Sequence, residues 1–256
     1  MGRRLLLGCT LLLLPALSSR SWAQAAPADS SLLASTVQNM HQRYLTAVGG
    51  GAALYTGLLY TNYLPANSRG HQYFLSNEEL NGSVRFNGYD FVNIPLQYDI
   101  RLDVLITNSY NSPVKLMLLS EEVESFTIDG HRFKRIVADP AAESSVTTGF
   151  YEVLYAGKSG LQALARHSKT TQDLLEQRVY YKVLINVDRY FIVRNGTYYP
   201  VAKKGSVLAA IGDRKKELKK YASEQKLAFS KEQRLASIVA LTAYYDQLNQ
   251  ASAPGK

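Results

Sequence analysis

Four dipeptides constrain the fold of this chain more than any other feature. Asn81-Gly82, Asn87-Gly88, Asp129-Gly130 and Asn195-Gly196 all sit between strand-like runs. A two-residue type I′ turn needs positive φ at both central positions, which these pairs tolerate, so each predicts a β-hairpin. The flanks agree. Residues 83–86 alternate ahead of Asn87-Gly88, residues 126–128 and 132–137 bracket Asp129-Gly130, and residues 190–194 and 197–201 bracket Asn195-Gly196. Further strand-like runs cover 54–63, 91–98, 102–107, 114–119, 150–155, 161–166 and 179–186. About ten strands joined by short turns predict an antiparallel meander that closes as a curled sheet, a barrel or a sandwich. The 18 tyrosines suit a half-buried pleated surface, with the ring packed and the hydroxyl reaching water.

Helical periodicity frames that region. Leu33, Val37, Met40, Tyr44, Leu45 and Val48 recur at helical spacing, with Ser30 or Ser31 as cap and Gly49-Gly50-Gly51 as stop. After Gly205, the residues Val207, Leu208 and Ile211 predict a short helix. Asp213 can cap a second, with Leu218, Tyr221 and Ala222 on its apolar side. Ser230-Lys231-Glu232-Gln233 reads as a capping box for a third, carrying Leu235, Ile238, Val239, Thr242, Tyr245 and Leu248. The fold class is therefore α+β: an antiparallel β region with a helix before it and a helical segment after it. The segments are 1–25, 26–51 (leader and first helix), 52–202 (β region), 203–250 (C-terminal helices packed on it) and a polar tail, 251–256.

Residues 1–25 predict the compartment. Arg3 and Arg4 precede an apolar run over 5–17, and the segment ends in Ala23-Gln24-Ala25. A charged start, a short apolar middle and an A-x-A end make a secretory signal peptide. The run is too short to cross a bilayer, which needs about 20 residues, so no transmembrane segment is expected after cleavage. The mature chain is expected in the periplasm or outside the cell. Cys9 in Leu6-Leu7-Gly8-Cys9 offers a lipid anchor as a rival, but the apolar stretch ahead of it is only four residues and continues well beyond it. Cleavage removes Arg3, Arg4 and Arg20 and no acid, which takes the formal charge from +8 to +5. It also removes the only cysteine, and with it any disulfide, thiolate nucleophile or cysteine metal site.

The remaining charge is concentrated. Between Lys203 and Lys226 lie eight basic and three acidic residues. Within this segment Arg214, Lys215, Lys216, Lys219 and Lys220 form the candidate anion-binding set, suited to phosphates, acidic glycans or an envelope surface. A solvated helix face is the simpler explanation. No nucleic-acid partner is expected.

Motifs for chemistry are sparse. Ala156-Gly157-Lys158-Ser159 ends like a phosphate-binding loop, but Glu152 stands where that motif needs glycine, so residues 157–160 read as a hairpin turn. Asn81-Gly82-Ser83 and Asn195-Gly196-Thr197 match the glycosylation pattern and are already explained as turns. His41, His71, His131 and His167 are too far apart in sequence for a helical metal pair and read as solvated groups on turns or strand ends. There is no G-x-S-x-G elbow. Asp99 and Asp103 would lie about 13 Å apart on a strand, too far to couple, and read as strand-end and turn residues. No catalytic residue, cofactor site or metal site is assigned.

The stretches Gly82-Ser83-Val84-Arg85-Phe86-Asn87-Gly88, Pro95-Leu96-Gln97-Tyr98-Asp99-Ile100, Val123-Glu124-Ser125-Phe126-Thr127-Ile128 and Gly149-Phe150-Tyr151-Glu152-Val153-Leu154-Tyr155 resemble uncharacterised exported proteins of Gram-negative bacteria. So do Leu54-Tyr55, Lys203-Lys204 and the lysine-rich helix. The resemblance implies one exported β-rich unit with a helical end and brings no activity. The functional expectation is an exported, non-enzymatic binding or structural envelope protein whose partner is an envelope protein or glycan. Two others stand beside it: a periplasmic hydrolase with a site assembled on the sheet, and a binder of acidic polymers through residues 214–226.

Overall fold

The computed structural model describes residues 54–109, 112–139 and 145–251, together with Thr36 and Met40, both helical. The expected signal peptide and leader, the rest of the expected first helix and the tail from 252 lie outside the described residues. The chain divides into two units, Met1–Ala47 and Val48–Lys256, and among the described residues the second carries every strand and the three C-terminal helices.

The strands run β1 (Leu58–Leu59), β2 (Ser68–Arg69), β3 (Leu80–Phe86), β4 (Tyr89–Asp99), β5 (Val104–Asn108), β6 (Lys115–Met117), β7 (Val123–Ile128), β8 (His131–Ile136), β9 (Gly149–Ala156), β10 (Gln162–Arg166), β11 (Lys169–Glu176), β12 (Val179–Asn186), β13 (Arg189–Arg194) and β14 (Thr197–Val201). Three helices follow: α1 (Lys204–Ile211), α2 (Lys215–Glu224) and α3 (Arg234–Ala251). Eleven strands form one antiparallel sheet in the order β1-β6-β5-β4-β3-β7-β8-β9-β10-β13-β14, and β11, β12 and β2 form a smaller one. The α+β class is as expected, and Asn87-Gly88, Asp129-Gly130 and Asn195-Gly196 each make a tight turn with positive φ at both residues.

The large sheet rolls up around aromatic side chains. Tyr98 on β4 and Phe150 on β9 are four strands apart, about 19 Å in a flat sheet at the usual strand spacing. Their ring centroids are 5.9 Å apart, so the sheet between them curls. Phe74, Tyr98, Phe126, Phe133 and Phe150 meet there mainly edge to face, the arrangement the ring quadrupoles favour. A second apolar cluster forms where α1, α2 and α3 cover the other end of the sheet, through Ile192, Val201, Ile211, Leu218, Ile238 and Leu241.

Four local expectations need correction. Asn81-Gly82 is not a turn but lies inside β3, opposite Pro95 and Ile94. A Cβ on Gly82 would come within 2.3 Å of the Thr127 carbonyl oxygen, so this glycine serves close strand approach at a bulge. The long strand over 54–63 shrinks to Leu58–Leu59, and beyond it Tyr60 and Tyr63 donate their hydroxyls to Asp99 at 2.8 and 3.0 Å. Asp213 does not cap α2. The cap position is Arg214, in the left-handed region at φ 48°. Finally, β11 was not expected, since Lys169–Glu176 is polar, and its hairpin with β12 turns at Gln177-Arg178, both at positive φ without a glycine.

Candidate functional site

Four consecutive strands of the large sheet, β8, β9, β10 and β13, each contribute one charged or titratable residue to a single row. His131 opens β8 directly after the Asp129-Gly130 turn, Glu152 is in the middle of β9, His167 follows β10 and Asp188 precedes β13. Register explains the row. Glu152 pairs with Phe133 on one side and Ala165 on the other, and Arg166 pairs with Arg189. Because side chains alternate along a strand, the four fall on one face as near neighbours.

The contacts are short. Glu152 Oε1 lies 2.5 Å from His131 Nδ1, Glu152 Oε2 lies 2.6 Å from His167 Nε2, and His167 Nδ1 lies 3.0 Å from Asp188 Oδ1. Glu152 is 6% exposed and sits between Phe150 of the aromatic core and Leu154, which packs against the helical core. The Phe74 ring closes the row from the aromatic side, 5.0 Å from the His167 ring and 5.2 Å from that of His131. Burial works against charging His167, but its hydrogen bonds to Asp188 and Glu152 outweigh it and push its pKa up to about 9. Burial likewise opposes ionisation of Glu152. The two imidazoles more than offset this and hold its carboxyl below the usual range. At neutral pH His167 is thus an imidazolium clamped between two carboxylates. The expectation that His131 and His167 are merely solvated is corrected: cross-strand register brings them together on one carboxylate.

A cavity opens at each end of this row, and the first turn of α3 borders both. One, of about 540 Å3, meets His131 and Glu152 on one wall and Leu154, Leu235, Val239 and Ala240 on the others. The second, of about 690 Å3, is bordered by Asp188, Arg189, Tyr190, Val201, Lys203 and Arg234. Its walls are largely apolar, and three basic residues face one acid whose Oδ1 is held by His167. Arg234 borders this cavity as a residue, while its Nε is shielded from solvent and has no protein hydrogen-bond partner among the described residues.

The residues singled out from sequence lie elsewhere. Lys215, Lys216, Lys219 and Lys220 are exposed on α2, which buries Leu218 and Ala222 instead. Arg214 donates from Nε to Asn249 Oδ1 at 3.0 Å. None of the five borders either cavity. The turn over 157–160 that resembles a phosphate-binding loop is already occupied by an acid of this chain. Asp246 on α3 accepts the amide N–H groups of Lys158 and Ser159 at 3.1 and 2.8 Å, the Tyr155 hydroxyl at 3.2 Å and the Gln250 amide at 2.7 Å. Burial opposes ionisation of Asp246, and these donors override it and hold the carboxyl at about 2. The carboxylate takes the anion position and pins α3 to the β9–β10 turn.

No group of three or more His, Cys, Asp and Glu in metal-holding arrangement occurs among the described residues. In the row, each imidazole nitrogen that faces a carboxylate is engaged by it. No family model matches this chain, and no match was found among the curated proteins or the solved structures.

Proposed function

We propose that this chain is an exported, non-enzymatic binding protein that holds a small amphipathic anion, with a carboxylate or phosphate head and an apolar body, in the cavity beside Arg234. The observation that carries this reading is an apolar-walled cavity of drug-molecule size bordered by Arg189, Lys203 and Arg234, whose one acid, Asp188, is already paired with His167. A guanidinium matches a carboxylate or phosphate in a planar fork. Arg189 and Lys203 add positive field, as does the N-terminal end of α1, whose Gly205 and Ser206 border the same space. Tyr190, Phe191, Pro200 and Val201 supply the surface for an apolar body. Export rests on the charged, apolar and A-x-A segments of residues 1–25.

A titration calorimetry comparison of octanoate with octanol tests the reading, since the two share an apolar body and differ in charge. Octanoate is expected to bind at least about tenfold more tightly, and Arg234→Gln to remove that margin, which corresponds to about 1.4 kcal/mol. Equal affinity for the two probes, or an unchanged margin in the variant, removes the basis for an anion site.

The hydrolase reading has one observation in its favour, the Glu152–His131 contact on a cavity wall. A carboxylate-held imidazole is one half of a nucleophilic constellation. The other half is missing from that wall: the cavity's remaining lining is Gly130, Arg132, Val153, Leu154 and apolar residues of α3, with no hydroxyl or thiol.

A further inference from the structure

The hairpin of β11 and β12 belongs to the small sheet, and its outer end carries apolar side chains that no core takes up. Leu174, Leu175, Val179 and Tyr180 are 41%, 56%, 46% and 66% exposed. One side of the hairpin is braced by β2, which is only two residues long and pairs with Lys182 and Val183. Arg69 of β2 adds a stack on the Tyr181 ring and an ion pair with Glu176 at 2.6 Å. The other side is bare, because β11 is the edge of this sheet. A two-stranded hairpin is marginal in water, and an unpaired edge is a template for another strand.

Register identifies the free backbone groups. Lys182 N–H donates to the Asn67 carbonyl, on the β2 side, and Val187 N–H donates to the Ser168 carbonyl, on the β11 side. Odd-numbered residues of β12 therefore bond to β11, through the pairs Tyr181–Leu174, Val183–Gln172 and Ile185–Thr170. Lys169, Thr171, Asp173 and Leu175 turn their N–H and C=O groups outward. Native edges are commonly blunted by proline, a bulge or free charge. β11 has no proline and an unbroken register with β12. Its charges are engaged at home: Asp173 with Lys182 at 2.5 Å, Glu176 with Arg69, and the Lys169 ammonium with the carbonyls of His71 and Tyr73.

We propose that β11 is a dimerisation edge, which pairs antiparallel with β11 of a second copy across a two-fold axis and joins the two small sheets into one. Opposed residues in such a pair must both turn their backbone groups outward, so the odd residues of one copy face the odd residues of the other. One register engages all four: Lys169 opposite Leu175 of the second copy, and Thr171 opposite its Asp173. By symmetry each pair occurs twice. A slip of one residue along each strand either sets Asp173 opposite its own equivalent, two like charges face to face, or leaves Leu175 unpaired. On the other sheet face the same register sets Leu174 against the Thr170 methyl group and Gln172 against Gln172, whose amides can donate and accept reciprocally. The strand is thus complementary to itself, which favours a second copy over an unrelated strand.

Sedimentation velocity of the mature protein is expected to show a reversible dimer with a Kd of about 100 µM or tighter. Thr171→Pro removes an outward N–H and no hairpin bond, so it is expected to weaken the dimer at least about tenfold while the circular dichroism spectrum is kept. Gln172→Cys tests the register without relying on that variant. The two equivalent Cα atoms would lie about 4.5 Å apart, within disulfide range, and mild oxidation is expected to link the chains in pairs. In Thr171→Cys the equivalent positions are two residues out of register, about 9 Å apart, and linkage is expected to be at least about tenfold slower. The inference is overturned if the protein stays monomeric at about 200 µM, if a folded Thr171→Pro dimerises as well as the parent, or if the two cysteine variants link equally fast. None of these residues borders the Arg234 cavity, so the dimer and the anion site can fail independently.

Discussion

Raising the pH should dismantle the charged row from its centre, and the size of the effect follows from His167. Its folded pKa, about 9, lies above the ordinary 6.5. The bound proton therefore stabilises the folded chain fully below pH 6.5, and that contribution is lost as pH rises through 9. The interval of 2.5 units, at 1.36 kcal/mol each, corresponds to about 3 kcal/mol. Glu152 acts at the opposite end. Its folded value is depressed, so its contribution is present above the ordinary 4.5 and lost as pH falls through the folded value. Stability from the row is thus greatest between pH 4.5 and 6.5. With a urea slope of about 2–3 kcal/mol/M, the loss between pH 6.5 and 9 moves the unfolding midpoint down by about 1–1.5 M. Circular dichroism is the suitable probe, because the single tryptophan, Trp22, lies in the segment expected to be cleaved as a signal peptide. In His167→Gln the proton is gone at every pH. The variant should be about 3–5 kcal/mol less stable at pH 6, since two carboxylates lose the charge between them, and the gap should close toward pH 9. Parallel pH profiles for the two proteins from pH 6.5 to 9 would falsify the assignment of this charge to His167.

Two further outcomes are expected. Asp246→Ala leaves the amides of Lys158 and Ser159 without their acceptor, which should cost about 2–3 kcal/mol in urea unfolding and speed hydrogen exchange at those two amides; normal exchange there would mean the turn does not depend on α3. The intact mass of the protein recovered from the envelope or medium should correspond to a chain beginning at Ala26, and a mass that includes residues 1–25 would contradict export by cleavage.

How much of this was legible in the sequence depended on whether the signal was local. Asn87-Gly88, Asp129-Gly130 and Asn195-Gly196 announce their turns because positive φ is a property of two residues. Asn81-Gly82 carries the same letters, but the Thr127 carbonyl from a neighbouring strand decides its role, and that strand lies more than forty residues away in the chain. The charged row was hidden for a related reason. His131, Glu152 and His167 belong to three successive strands of the meander, so correct register alone would have aligned them. Asp188 could not be placed, because the β11–β12 hairpin intervenes and its strand β11, Lys-Thr-Thr-Gln-Asp-Leu-Leu-Glu, has no period-2 apolar pattern. The lysines of α2 drew attention through composition, whereas Arg234, isolated in sequence at the start of α3, gains its meaning only from the cavity it borders together with residues of β13 and β14.

The central claim concerns one guanidinium and can be observed there. In an NMR titration of the mature protein with octanoate, the Arg234 Nε–Hε cross-peak should shift saturably, together with amides of residues 188–191 and 200–206, as the guanidinium gains a counter-charge. If that cross-peak stays in place at saturating octanoate, or octanol moves it equally, the cavity beside Arg234 is not an anion site.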